Sequence, residues 1–222
     1  MRLLQKIFAG SPAVPRVAPF LIFLALTFCQ GKLGAASAYW FYLAKTVAGA
    51  WLVWEMRPLV LEMRWAFSWE AVLAGVGIFA VWVGLDPFYP HLMKGGATGD
   101  PNGQFGAGSL LAWFFIAVHI LGMTFIVPPL EEVFYRSFFY RYLVSQNFLS
   151  VPLNRFLPLP FVATALVFGF SHNEWLAGIL CGAAYQWLVI RRNRLGDAMT
   201  AHAITNLLLG GWIVWRGAWH FW

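Results

Sequence analysis

Acidic side chains are scarce in this chain: Asp and Glu together number 9 in 222 residues. Only 11% of positions are charged, whereas soluble domains run nearer a quarter. Nine carboxylates are too few to solvate the surface of a 25.0 kDa globule, which excludes an ordinary soluble domain. Cysteine is nearly absent as well. Cys29 and Cys181 both fall inside apolar stretches, which excludes a disulfide framework, and their spacing is not that of a metal site. No basic run is interleaved with polar, solvated sequence, so the net charge of +6 does not describe a nucleic-acid surface. No repeat recurs at a fixed period. The basic, then apolar, N-terminus runs into a long span without a small-residue cleavage site, so no cleavable signal peptide is expected.

What is abundant is apolar sequence. The chain is 60% hydrophobic with a mean hydropathy of +0.66, the composition of an integral membrane protein. Thirteen tryptophans agree, because tryptophan accumulates where membrane meets water. Trp51 and Trp54, Trp65 and Trp69, and Trp212 and Trp215 lie near the ends of apolar runs and read as interfacial anchors. Basic residues sit at the ends of such runs too: Arg2, Lys6 and Arg16, then Arg57 and Arg64, then Arg191, Arg192 and Arg194. That placement suits cytoplasmic loops facing anionic lipid.

A helix needs about 20 apolar residues to cross a bilayer. Candidate spans lie at 17–30, 36–54, 67–85, 107–127, 157–171, 174–190 and 198–215, with a shorter amphipathic helix at 129–146. The expected fold is all-α and polytopic: about eight transmembrane helices around an intramembrane cavity, in one domain over 1–222 whose motif-bearing core is about 107–215. The longest polar stretch, 86–106, carries Asp-Pro and Asn-Gly turn chemistry and reads as a linker between helices. A cytoplasmic N-terminus is expected from the basic residues before the first span. The loop "RRNR" then shares that side only if the glutamate helix does not cross separately, and Pro128-Pro129 makes a re-entrant helix conceivable, so orientation stays open.

Against this background the stretch "PPLEEVFYR" stands out. An ionisable group at membrane depth costs roughly 2.5–3.5 kcal/mol on insertion scales and usually marks a functional site. Three groups qualify: Glu131, Glu132 and Arg136; His172, with Phe168 four residues before it; and His202 with Asn206. Glu132 and Arg136 share a helix face and can pair, while Glu131 is turned about 100° away, toward a cavity. Each group alone has a packing explanation. All three together would impose desolvation repeatedly without gain. Other hydrolase signatures are missing: Ser171 lacks the second glycine of G-x-S-x-G, no H-E-x-x-H occurs, and neither Asp100 nor Asp197 sits in Gly-x-Gly-Asp.

"EEVFYR", "FGFSH" and "HAITN" fit Glu-Glu-x-x-x-Arg, Phe-x-x-x-His and His-x-x-x-Asn. In this order on an apolar chain they resemble the CPBP (Abi) family, which includes the type II CAAX prenyl endopeptidases. The resemblance implies an intramembrane endopeptidase that hydrolyses a membrane-associated protein or peptide. Glu131 would activate water with His172, Glu132 and Arg136 would form the supporting pair, His202 and Asn206 would stabilise the oxyanion, and Phe168 would shape the cavity. A metal-free glutamate mechanism is favoured. The alternative is a zinc ion on Glu131, His172 and His202. In the family the arginine is commonly followed by glycine, and here Ser137 follows. The Trp-rich, short chain ending "RGAWHFW" resembles members associated with bacterial exosortase systems, which would place it in a bacterial inner membrane. Two other functions stay open: a non-enzymatic scaffold or immunity-type protein of the same fold, and a proton-coupled transporter. No paired half-repeats favour the transporter. The sequence is silent on oligomeric state.

Overall fold

The computed structural model describes residues 3–8, 10–92 and 99–222. Arg2 and residues 93–98 of the 86–106 segment lie outside them. Among the described residues the chain is helical and has no strand. Seven helices carry the architecture: α1 (Val14–Phe28), α2 (Ser37–Met56), α3 (Trp69–Leu85), α4 (Leu110–Tyr142), α5 (Pro158–Phe170), α6 (Trp175–Arg192) and α7 (Gly196–Arg216). Local signals set several ends. The Ser68 and Ser109 hydroxyls accept from the amides of Ala71 and Ala112 and cap α3 and α4. Asn193 takes a left-handed φ of 51°, which turns α6 directly into α7.

The sequence reading needs one correction. The expected span 107–127 and the separate helix 129–146 form a single 33-residue helix, Leu110–Tyr142, and Pro128-Pro129 does not break it. The reason is local. Two π-helical stretches, Gly122–Ile126 and Val133–Phe139, are set into α4 around the prolines. In the first, the Val127 amide reaches back to the Gly122 carbonyl, and the wider register accommodates the proline rings. The Met123 carbonyl would next be taken by the amide of residue 128, but proline has none. Asn206 on α7 supplies the donor instead, with Nδ2 2.6 Å from that oxygen.

Charged side chains lie in the interior while many large apolar ones face outward. Glu132, Arg136, Gln186 and Asp197 are fully buried, whereas Leu73, Trp51, Trp54 and Trp215 lie exposed. A soluble protein is built the other way, and this inversion defines a helical membrane protein. Trp69–Phe88 and Leu110–Tyr142 are long and apolar enough to span a bilayer by themselves, and Val14–Phe28 and Pro158–Phe170 are apolar but shorter. Small residues bring helix axes close: a Cβ on Gly178 of α6 would sit 2.9 Å from the Gly169 Cα of α5, and one on Gly75 of α3 would sit 2.6 Å from the Ala201 carbonyl of α7.

Seven helices in alternation sort the connections between two ends of the bundle. At one end Glu62 meets Arg16 and Arg141, Arg192 meets Glu70, and Arg194 meets Asp197 and the Phe67 carbonyl. At the other, Trp175 donates to the Pro90 carbonyl, the Leu92 amide to Asn173, and His220 contacts Asp86. The described parts of 86–106 therefore pack against the bundle, where a bare linker was expected; Phe105 also stacks on Phe115.

Candidate active site

Glu131 and Glu132 are neighbours in sequence and point to different places. Glu132 is fully buried, with Oε2 3.2 Å from Arg136 Nε and Oε1 2.9 Å from His202 Nδ1. Arg136 in turn lies 4.4 Å above the Phe168 ring. The anticipated Glu132–Arg136 pair is thus present, extended across the bundle by His202. A carboxylate can only accept, so the proton of that bond sits on His202 Nδ1.

Glu131 is half-buried and lines a cavity of about 570 Å³ between α1, α2 and α4, together with Tyr135, Lys45, His119 and His172. Its Oε2 is buried without a hydrogen-bond partner. His172 stands at the end of α5, its Nδ1 2.7 Å from the Phe168 carbonyl. A carbonyl likewise only accepts, so Nδ1 carries the proton and Nε2 holds the lone pair. Phe168 is fully buried, its ring tilted against His172 at 4.7 Å and edge-on to Tyr135 at 5.0 Å.

His202 and Asn206 line a second cavity, of about 170 Å³, and His172 belongs to the walls of both. Five of the seven residues therefore line two adjoining cavities with His172 at the partition, and Glu132 and Arg136 lie buried outside both, where sequence spacing alone suggested one point. Asn206 keeps its Oδ1 and one N–H beyond the bond to Met123. Glu131, His172 and His202 do not converge as a metal set: among the described residues, Asp86, His91 and Glu174 are the trio whose ligand atoms all lie within 4.8 Å of one another. No step is assigned to a metal on Glu131, His172 and His202.

Some polar groups escaped the sequence reading. Lys45 is buried, donating from Nζ to Gln30 Oε1 at 2.7 Å and to Thr27 Oγ1 at 3.1 Å. His119 is sandwiched between Tyr42 (4.0 Å) and Trp222 (3.8 Å). Both belong to apolar helices, in "YLAKTV" and "AVHILG", so the criterion that found the glutamates applies to them as well. Ser137, the departure from the family pattern, bonds to the Glu62 carboxylate and receives Arg16 Nε at 3.0 Å and Arg141 Nη2 at 2.8 Å. Its hydroxyl ties α1, α4 and the 57–68 connection together.

A polytopic helical membrane protein that holds a carboxylate and an imidazole in an open internal cavity is the class this fold and site define. Residues 112–208 match the family model described as type II CAAX prenyl endopeptidase Rce1-like. Over that segment the chain is similar to a domain of the CPBP family, which includes membrane endopeptidases of the CAAX-protease type. All seven motif residues fall inside the matched segment. No curated protein and no solved structure matches the chain.

Proposed function

We propose that the protein hydrolyses a peptide bond of a membrane-associated protein by water activated between Glu131 and His172. The observation that carries this reading is the Glu131 carboxylate, left with an unpaired buried oxygen in an open cavity that His172 also lines. Glu131 takes a proton from water as the hydroxide attacks the scissile carbonyl, and His172 Nε2 orients the water through its lone pair. The proton then passes to the leaving amine, completing hydrolysis into a carboxylate and an amine. His202 and the remaining N–H of Asn206 face the second cavity, where the oxyanion develops, and donors fixed in place lower the barrier there. The buried Glu132–Arg136 pair sets the rotation of α4 and anchors His202. No metal enters these steps.

The N-terminus and the end carrying Arg16, Arg141, Arg192 and Arg194 face the cytoplasm in this proposal, as in a bacterial inner membrane. A continuous α4 supports it, since one crossing there in place of two puts the "RRNR" connection on the same side as Arg57 and Arg64. The substrate's termini provide the test. Quantitative proteomics of membrane and secreted protein termini is compared between wild type, Glu131→Gln and His172→Ala. A set of new termini lost in both variants names the substrate. Unchanged termini with normally folded variants would overturn the enzyme reading.

A further inference from the structure

At the end of the bundle opposite the arginine-rich face, two segments far apart in sequence bring metal-ligating atoms together. Asp86 ends α3, His91 follows in the next loop, and Glu174 immediately precedes α6. One ligand atom from each lies within 4.8 Å of the other two. Asp86 Oδ1 and His91 Nε2 are 2.9 Å apart, both atoms are buried, and they lack the alignment of a hydrogen bond. On the far side of the same carboxylate, Oδ2 is 3.2 Å from Nε2 of His220, a fourth potential ligand. Close by, the Tyr89 hydroxyl is buried without a partner. Membrane loops that merely cross at an interface do not need two carboxylates and an imidazole within 4.8 Å of one another, with a second imidazole alongside.

We propose that Asp86, His91 and Glu174, with His220 as the fourth ligand, bind one zinc ion. Imidazole and carboxylate at about 2.0–2.2 Å suit zinc, and a tetrahedron of that size sets its donors roughly 3.2–3.6 Å apart, so small side-chain rotations close the Asp86, His91 and Glu174 set, and His220, now on the far oxygen of Asp86, swings in to complete it. The ion would neutralise carboxylates otherwise crowded together, Glu174 being buried. It would also staple the α3 end and the 219–221 turn to the segment Ser171–Glu174, which carries His172. The site stands independently of the catalytic reading, because none of its ligands takes part in the hydrolytic steps above.

The experiment uses the full chain purified in detergent, stripped with chelator, equilibrated with Zn(II) and freed of excess. Bound zinc per chain is then measured by elemental mass spectrometry, and the thermal midpoint with and without Zn(II) by tryptophan fluorescence. Wild type is expected to hold one equivalent and to gain several degrees. His91→Ala and Glu174→Gln lose at least tenfold in affinity together with that gain, and His220→Ala, which alters a half-exposed ring, weakens binding by a smaller factor. Glu131→Gln and His172→Ala bind zinc as wild type does. Absence of stoichiometric zinc on the wild type overturns the site. So does zinc that persists undiminished in His91→Ala, Glu174→Gln and His220→Ala, or that disappears in Glu131→Gln or His172→Ala.

Discussion

Asn206 donates to the one carbonyl that Pro128 leaves bare. The Met123 oxygen sits in a π-helical register whose next donor would be the amide of residue 128, and the Asn206 Nδ2 contact of 2.6 Å replaces it. The proline pair and the His-x-x-x-Asn motif, 78 positions apart between Pro128 and Asn206, are therefore one structural unit. Asn206→Ala should cost about 1 kcal/mol by leaving a buried carbonyl unpaired. In a Pro128→Ala background residue 128 regains its amide, and the same substitution should cost less. A double-mutant cycle read by thermal unfolding in detergent checks this; additive effects would mean the two residues are not coupled.

The two glutamates should part company under the same conservative change. Glu131→Gln keeps the cavity wall and the fold, leaves the thermal midpoint close to wild type, and abolishes cleavage. Glu132→Gln leaves the fully buried Arg136 without a counter-charge and should destabilise by roughly 3–5 kcal/mol. Unfolding curves measured beside a cleavage assay separate a lost reaction from a lost fold.

Glu62 gives the stability a defined pH dependence. Burial by itself raises its carboxyl, but the Ser137 hydroxyl and the Arg16 guanidinium outweigh this and hold it below its ordinary value of 4.5. A folded value below the unfolded one stabilises the protein above the unfolded value, and that stabilisation disappears as pH falls through the folded one. The thermal midpoint of the wild type should therefore drop on acidification below about pH 4.5, the unfolded value set by a free carboxyl. Glu62→Gln should start about 3 kcal/mol less stable at neutral pH, with Arg16 and Arg141 left uncompensated, and its curve should be flatter through the acid range. Ser137→Gly, which restores the common family residue, should cost about 1 kcal/mol and spare activity.

Gly75 holds α3 against the helix that carries His202. A methyl group there would meet the Ala201 carbonyl at 2.6 Å and Ile204 Cβ at 2.8 Å, and backbone cannot move aside as a side chain can. Gly75→Ala should therefore destabilise by about 1–3 kcal/mol despite alanine's better helix propensity. It should also lower kcat by shifting His202 relative to Glu132. A gain in thermal midpoint would show that the two helices do not approach this closely.

The sequence alone determined the class of protein, most of the helical segments and the motif-bearing polar groups within them. Apolar length and charge scarcity are properties of composition, and a Glu-Glu-x-x-x-Arg pattern is visible wherever it lies. Spacing by four also determined that Glu132 faces Arg136, because helix geometry is local. What only tertiary structure decided is which groups from different helices meet. His202 could have joined Glu131 or Glu132, and the close approach of α7 to α3 and α4 selects Glu132. The double proline reads as a break because intrahelical hydrogen bonding is judged locally, and it is bridged because a neighbouring helix supplies the missing donor. In the sequence Ser137 is only a departure from the family pattern, and the fold is what brings Arg16, Glu62 and Arg141 to its hydroxyl. Asp86, His91, Glu174 and His220 share no motif, and only the folded chain gathers them. In a membrane interior, where no water stands in for an absent partner, such long-range pairings settle the roles that sequence leaves open.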